Sequence, residues 1–452
     1  MIASSAFAGK RYAVLGLARS GMTAVETLLA SGAHVMAWDA REEPRLALEG
    51  RGVELADPVT ADIAGYAGVV VSPGVPLNRH PVAEAAAKAD VPVIGDIELF
   101  ALARPDLPAH RVVGITGTNG KSTTTALVHH LLKSAAIPTR MGGNIGVPIL
   151  GQEPLAPGGV YVLELSSYQI DLTWSLDCEV AVLLNITPDH LDRYGSFEAY
   201  AASKARLFSI QGANHHAVFG TGDAETAAIA DAQARRRAPA LIHRVDGADL
   251  QGIQAGWPSL QGPHNLQNAA AAIAIVEALG LSRGQWLPAM PTFRGLPHRM
   301  ERVAEAGGVL FINDSKATNP ASTAPALAAF PPVMRDGAMA RRIHWIAGGL
   351  PKGESLDECA PFFGNVAAAY TIGDAGPLFA DLLEPHMPVS RSEMMAEAIR
   401  QAIAAARPGD IVMLSPACAS FDQFRDYEAR GDAFRQIVEA LTADRPREGG
   451  AA

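Results

Sequence analysis

The sequence predicts an α/β protein built from three domains in series. Its 452 residues are 48% hydrophobic, which at about 100–200 residues per domain allows two to four cores. Strand-like and helix-like stretches alternate along the chain, and such alternation makes parallel sheets covered by helices. The rhythm breaks near residues 96 and 298, giving domains 1–96, 97–298 and 299–452.

In the first block, β-branched or apolar runs at 11–15, 34–38, 68–72 and 91–94 read as strands, with helical stretches such as 21–30 between them. The second block opens with a strand at 111–116 (RVVGIT), a glycine-rich turn and a helix at 121–134. Strands at 161–165 and 180–186 follow, then helices at 198–208 and 264–280. The third block starts after Gly295-Leu296-Pro297-His298-Arg299, with strands at 309–313, 343–347, 368–372 and 410–414 and a last helix at 432–442. The tail at 445–452, rich in Gly, Ala and charge, is expected to fray.

Composition excludes several classes. A net charge of −10 argues against broad nucleic-acid binding, which needs a basic surface. No apolar run reaches about 18 residues, so no transmembrane helix is expected, and residues 1–9 lack the pattern of a secretory signal. The cysteines, Cys178, Cys359 and Cys418, are odd in number and far apart, which suits buried thiols in a reducing compartment.

The strongest motif is Gly114-Ile115-Thr116-Gly117-Thr118-Asn119-Gly120-Lys121-Ser122, between a strand and a helix. Glycines let backbone N–H groups turn inward around a phosphate, and the helix N-terminus adds positive charge. Lys121 would reach the β- and γ-phosphates and the Ser122 hydroxyl would ligate Mg²⁺. Ile115 stands where the strict P-loop pattern has glycine, so this is a variant.

A second glycine turn, Gly16-Leu17-Ala18-Arg19-Ser20-Gly21, follows the first strand, and Asp39 follows the second. It reads either as a nucleotide-phosphate site or as a plain tight turn, and Ala18 would crowd a full dinucleotide. Ser72-Pro73-Gly74-Val75-Pro76 follows another strand, so the two turns could flank one crevice. Glu164 ends an apolar strand, where an unpaired carboxylate is costly unless a cation meets it. Asp189-His190-Leu191-Asp192 follows the next strand and could share that edge. Lys204, judged by spacing alone, reads as a surface lysine.

These motifs, with further segments along nearly the whole chain, resemble the Mur ligase family. The matching segments are 72–76, 95–100, 117–123, 142–146, 163–169, 185–194, 264–268, 296–299, 313–319 and 414–424. The loop and the 264–268 segment are shared with folylpolyglutamate synthetases; 313–319 and 414–424 are more specific to the D-glutamate-adding branch. The resemblance implies a Rossmann-like N-terminal domain, a central P-loop ATPase domain and a Rossmann-like C-terminal domain. It implies a cytoplasmic, monomeric ATP-dependent ligase of peptidoglycan precursor synthesis. The acceptor would be UDP-N-acetylmuramoyl-L-alanine, the incoming amine D-glutamate, and the cofactor two Mg²⁺ ions.

It also implies residue roles. Ser20, Asp39 and Ser72 would hold the UDP end, and Asn144 and His190 would face the muramoyl-alanine end. Gly117, Thr118, Asn119, Gly120, Lys121, Ser122 and Thr123 would bind ATP, with Asn268, Arg299 and Asp314. Ser122 and Glu164 would hold one Mg²⁺ and His190 would help hold a second, approached by a carbamate on Lys204. Lys316, Thr318, Lys352, Ser420, Phe421 and Tyr427 would hold D-glutamate. Gly349-Leu350-Pro351-Lys352 departs from the family's glycine-aspartate-glycine-lysine, and Tyr427 replaces a phenylalanine.

Other readings stand beside this one. A sister ligase would add L-alanine, a diamino acid or a dipeptide. A nicotinamide-dependent oxidoreductase would use the first glycine turn but leave the P-loop unexplained. A non-catalytic nucleotide sensor would leave Glu164, His190 and the lysines of the third block without a role.

Overall fold

The computed structural model describes residues 1–351 and 353–443. Lys352 and the tail at 445–452 lie outside the described residues. The first sheet contains β1 (Arg11–Leu15), β2 (His34–Trp38), β3 (Val53–Leu55), β4 (Gly68–Val71) and β5 (Val93–Ile94), all parallel, in the order β3-β2-β1-β4-β5. The second contains β6 (His110–Thr116), β7 (Thr139–Gly143), β8 (Gly159–Glu164), β9 (Val180–Leu183), β10 (His216–Gly220) and β11 (Ile242–Val245), also parallel, in the order β11-β10-β9-β6-β8-β7.

The third sheet contains β12 (Glu301–Ala306) and β13 (Val309–Asn313). After a separate hairpin, β14 (Val333–Arg335) and β15 (Ala338–Ala340), come β16 (Ile343–Gly348), β17 (Val366–Ile372), β18 (Val389–Glu393) and β19 (Ile411–Leu414). Its order is β12-β13-β19-β16-β17-β18, parallel except for edge strand β12. The chain forms two compact units: Met1–Leu250 with Gln267–Met290, and Gln251–Leu266 with Pro291 onward.

The expected parallel α/β architecture is present, and the central strands show why. β4, β8, β9, β16 and β19 are buried at every position. Strands covered on both faces have no polar side to present, so they read as continuous apolar runs.

Element ends differ from expectation for identifiable reasons. β5 is shorter than 91–94 because Pro92 has no N–H for the ladder. The strand expected to reach 186 stops at Leu183, and Asn185 turns to accept from Thr118 N at 2.9 Å. The last helix begins at Tyr427 rather than 432, because Asp426 caps it by accepting from Ala429 N at 2.6 Å. The expected reading contained no strand at β7, whose Thr-Arg-Met-Gly-Gly sequence has little β signal, nor at β3, β10, β11, β12, β14, β15 and β18, each three to six residues long.

One hydrophobic cluster joins the first two sheets, including Val14, Leu28, Ile97, Leu150 and Leu163. Ile2 N donates to Leu150 O at 2.8 Å across the same seam. The third sheet has a cluster on each face, one around Trp345 and Phe379 and the other around Phe311 and Phe434. Cys178, Cys359 and Cys418 are all buried, as their spacing suggested. Among the described residues no helix is long and apolar enough to cross a membrane.

Candidate active site

Strand order brings the motifs together. β6 delivers the phosphate loop and lies between β8, which ends in Glu164, and β9, which leads to His190. Three loops from neighbouring parallel strands therefore share one carboxyl edge, where ligands bind in such sheets. In the first sheet the order reverses at β1, so the turns after β1 and β4 are adjacent.

The phosphate loop is tightly held. Asn119 N donates to Asn185 Oδ1 at 2.8 Å, and the Thr118 hydroxyl donates to Thr187 O at 3.2 Å. Gly120 has φ +82°, and a Cβ there would lie 2.1 Å from Asn268 Oδ1. Glycine is thus required twice over, by backbone conformation and by the approach of Asn268. Lys121 opens the helix Lys121–Ser134, and its Nζ donates to Gly117 O at 2.9 Å and Thr118 O at 2.8 Å. Ser122 is buried behind it, with Thr123 partly exposed.

Lys204 overturns the surface reading that its spacing suggested. It lies in the helix Phe197–Ile210 and is 2% exposed. Its Nζ donates to Gly117 O at 2.9 Å and sits 4.7 Å from the Tyr200 ring. Burial first, and then the charge of Lys121, push its pKa down to about 7.

Glu164 is 2% exposed. Its Oε1 accepts from Asn144 Nδ2 at 3.1 Å, while its buried Oε2 has no partner. An orphaned carboxylate oxygen one strand away from a P-loop serine fits a hard cation such as Mg²⁺. Among the described residues no group of three or more His, Cys, Asp or Glu side chains gathers. A cation here would therefore depend on mixed donors.

His190 takes a left-handed backbone, φ +52°, before the short helix Leu191–Tyr194, and its side chain is about half exposed. Its ring lies 5.1 Å from Tyr168 and 6.0 Å from Tyr200. The Tyr200 hydroxyl is 3.1 Å from the Thr118 hydroxyl. Tyr200 thus connects the phosphate loop, Lys204 and His190. Sequence reasoning passed over it, although its place four residues before Lys204 on one helix put it beside that lysine.

The turns of the first sheet do meet. Ser72 Oγ donates to Gly16 O at 2.7 Å, and Asp39 Oδ2 accepts from Leu17 N at 2.7 Å. Burial pushes the Asp39 pKa upward, but the N–H groups of Leu17 and Arg41 and the Arg41 guanidinium outweigh it and lower the net value. Ser20 stands in the first turn of the helix Arg19–Ala30. Two arginines tie these turns to the second sheet. Arg19 donates to Gly146 O at 3.0 Å; Arg193 donates to Val75 O at 3.2 Å and stacks 3.8 Å from the Tyr168 centroid. Neither arginine was singled out from the sequence.

The second unit holds its own group. Asp314 is buried after β13; its Oδ2 accepts from Ser415 Oγ at 2.7 Å and its Oδ1 from Met300 N at 3.1 Å. Burial pushes its pKa up to about 7, opposed by the Ser415 hydrogen bond and by the charge of Arg299. Lys316 Nζ lies 5.7 Å from the Tyr427 ring, and Thr318 N donates to Lys316 O at 3.0 Å. Ser420 is buried, whereas Phe421 is 69% exposed.

One residue secures both loops. Buried Arg430 donates to Ser315 Oγ at 2.9 Å, Ser315 O at 2.8 Å, Cys418 O at 3.0 Å and Ala419 O at 3.0 Å. It was missed because an arginine in a charged helix reads as surface. Gly349 packs on the same loop: it has φ +131°, and a Cβ there would lie 2.3 Å from Ala419 O.

Comparison with known proteins agrees with this layout. A MurD-like Mur ligase N-terminal domain matches residues 10–95, a Mur ligase middle domain 115–251, and a Mur ligase glutamate ligase domain 298–418. Those matches, in that order, define the class as Mur ligase. The chain is 68% identical over 445 residues to the UDP-N-acetylmuramoylalanine--D-glutamate ligase of Novosphingobium aromaticivorans, covering 98% of each. It is 60% identical to the protein of that name from Sphingopyxis alaskensis, covering 98% of this chain and 100% of that protein. The MurF ligase from Thermotoga maritima in complex with ADP shares the fold, with a TM-score of 0.54, 15% identity and 96% of both chains covered. The chain belongs to the UDP-N-acetylmuramoylalanine--D-glutamate ligase family.

Proposed function

We propose that this chain joins D-glutamate to UDP-N-acetylmuramoyl-L-alanine while converting ATP to ADP and phosphate, in peptidoglycan precursor synthesis. The observation that carries the reading is the convergence of Lys121 and Lys204 on the Gly117 carbonyl. Family membership supplies the substrates.

A carboxylate does not acylate an amine in water; it must first be activated. An oxygen of the alanyl carboxylate attacks the γ-phosphorus of ATP, the bond to ADP breaks, and an acyl phosphate forms. The D-glutamate amine then attacks the carbonyl carbon and loses a proton. The tetrahedral intermediate expels phosphate and leaves the amide. The obstacle is charge, since two like unit charges at about 4 Å repel by about 4 kcal/mol at an effective dielectric of 20. Lys121 offsets that repulsion by turning from its own loop carbonyls toward the β- and γ-phosphates.

Magnesium would supply the remaining neutralisation of phosphate charge. Ser122 and Glu164 would hold one ion, and His190 with a carbamate on Lys204 a second. The Lys204 amine suits that modification, because a pKa of about 7 leaves a large uncharged fraction at neutral pH. The uncharged nitrogen adds to the carbon of CO₂ and loses a proton, which turns a cation into an anionic oxygen donor.

The remaining contacts follow the family pattern. Ser20, Asp39 and Ser72 hold the UDP end, and Asn144 and His190 face the muramoyl-alanine end. Residues 117–123, with Asn268, Arg299 and Asp314, contact ATP. Lys316, Lys352, Thr318, Ser420, Phe421 and Tyr427 hold the dicarboxylate. The domains act as 1–96, 97–298 and 299–452 in a cytoplasmic monomer.

The test is ADP release with ATP and UDP-N-acetylmuramoyl-L-alanine. Release is expected with D-glutamate and not with L-glutamate or meso-diaminopimelate. Equal release with either of the latter would overturn the assignment.

A further inference from the structure

The helix Lys121–Ser134 begins at the phosphate loop and ends beside β7, the edge strand of the second sheet. A cavity of about 640 Å³ lies there, lined by His129 and Lys133 of the helix and Arg140 of β7. His129 and Lys133 are four residues apart, on one face of the helix. Arg140 Nε is buried and has no hydrogen-bond partner. Glu153, a carboxylate within electrostatic range of Arg140, is exposed and already accepts from the N-terminal ammonium at 2.8 Å. A chain of net charge −10 thus gathers two cationic side chains, Lys133 and Arg140, and a histidine around one cavity.

The Arg140 Nε is closed to solvent, so an anion in the cavity meets the terminal nitrogens of the guanidinium, whose planar fork suits an oxyanion. Lys133 adds a point charge. Burial first, and then the charges of Lys133, His130 and Arg140, hold the His129 pKa below its ordinary value. Ile137, Met141 and Val147 supply an apolar wall. We propose that this cavity is a second anion site, separate from the phosphate loop, for a small organic phosphate whose carbon body lies against that wall.

The cavity is built into a loop that serves the candidate active site. Gly146 and Val147 line it, and Gln152 Nε2 ties the loop by donating to Met141 O at 2.7 Å and Val147 O at 2.8 Å. The same loop carries Asn144, bound to Glu164, and the Gly146 carbonyl that accepts from Arg19. An anion held by Arg140 therefore bears on the backbone that positions Asn144. An effect on acceptor KM rests on the proposed function; the binding does not.

The experiment is a calorimetric titration of the full chain with glycerol 3-phosphate or inorganic phosphate, with the phosphate loop filled by a non-hydrolysable ATP analogue. One equivalent of glycerol 3-phosphate is expected to bind, more tightly than inorganic phosphate. Arg140→Gln with Lys133→Gln should weaken it by at least about tenfold, the loss expected from charge-assisted hydrogen bonds. Lys133→Gln alone changes an exposed side chain and should give an intermediate loss if the double variant folds poorly. Equal affinity in wild type and variants, or no binding at millimolar ligand, would sink the site. Tighter binding of inorganic phosphate would overturn the organic assignment.

Discussion

Lys204 shows how far a single residue's chemistry depends on its surroundings. In water it would be a fully charged ammonium; beside Gly117 and Lys121 it is buried and its charge is disfavoured. If its role is to carry a carbamate, deletion of the side chain removes an anionic ligand that an added acid could replace. Lys204→Ala is expected to lose at least about 100-fold in turnover, the scale seen when one electrostatic contact to the reacting group is removed. Millimolar formate or acetate should restore part of that rate, while Lys204→Arg should not respond. Unchanged turnover in Lys204→Ala, or equal loss with no response to acids, would rule out the carbamate. Tyr200 packs against the same Nζ; its spacing put it beside Lys204, but with Lys204 read as a surface residue that spacing pointed to no site.

At the scale of elements, loops carry the candidate site and buried polar groups hold the loops. Arg430 belongs to the helix Tyr427–Thr442 yet binds the carbonyls of Ser315, Cys418 and Ala419, on either side of the proposed amino-acid pocket. A lysine keeps the charge but cannot reproduce a planar fork reaching several carbonyls. Arg430→Lys is expected to raise the KM for D-glutamate severalfold or more while leaving the KM for ATP within about twofold. Steady-state kinetics with each substrate varied would check this, and equal changes in both constants would mean a merely structural role. The sequence shows the helix but not the reach of its arginine, which depends on two loops from other parts of the unit.

At the scale of the molecule, two compact units with separate buried groups are expected to unfold in more than one step. Asp314 marks the second unit. Its folded pKa, about 7, lies above the ordinary carboxylate value, so between roughly pH 4 and 7 the folded state binds a proton that the unfolded state releases. Stability from this group therefore falls as pH rises through that window and stays low above it. Asp314→Asn should remove the dependence, so its melting temperature should exceed that of wild type by more at pH 8 than at pH 5, by a few degrees. Scanning calorimetry should resolve two transitions, with only one moved by the substitution. A variant-to-wild-type gap that does not change with pH would contradict the buried-acid account.

By itself the sequence determined the α/β class, the strand–loop–helix around Lys121, the buried state of the cysteines and the family resemblance. Each of these is written in local patterns: apolar runs, glycine spacing and helix starts. Only the tertiary structure decided that Glu164 keeps one oxygen unpaired, that Asn268 closes on Gly120, that Lys204 is buried beside Lys121, and that Arg140 lines a cavity. Those facts depend on strand order and on packing between residues far apart in the chain, and spacing along one strand or helix carries no record of what comes to lie against it.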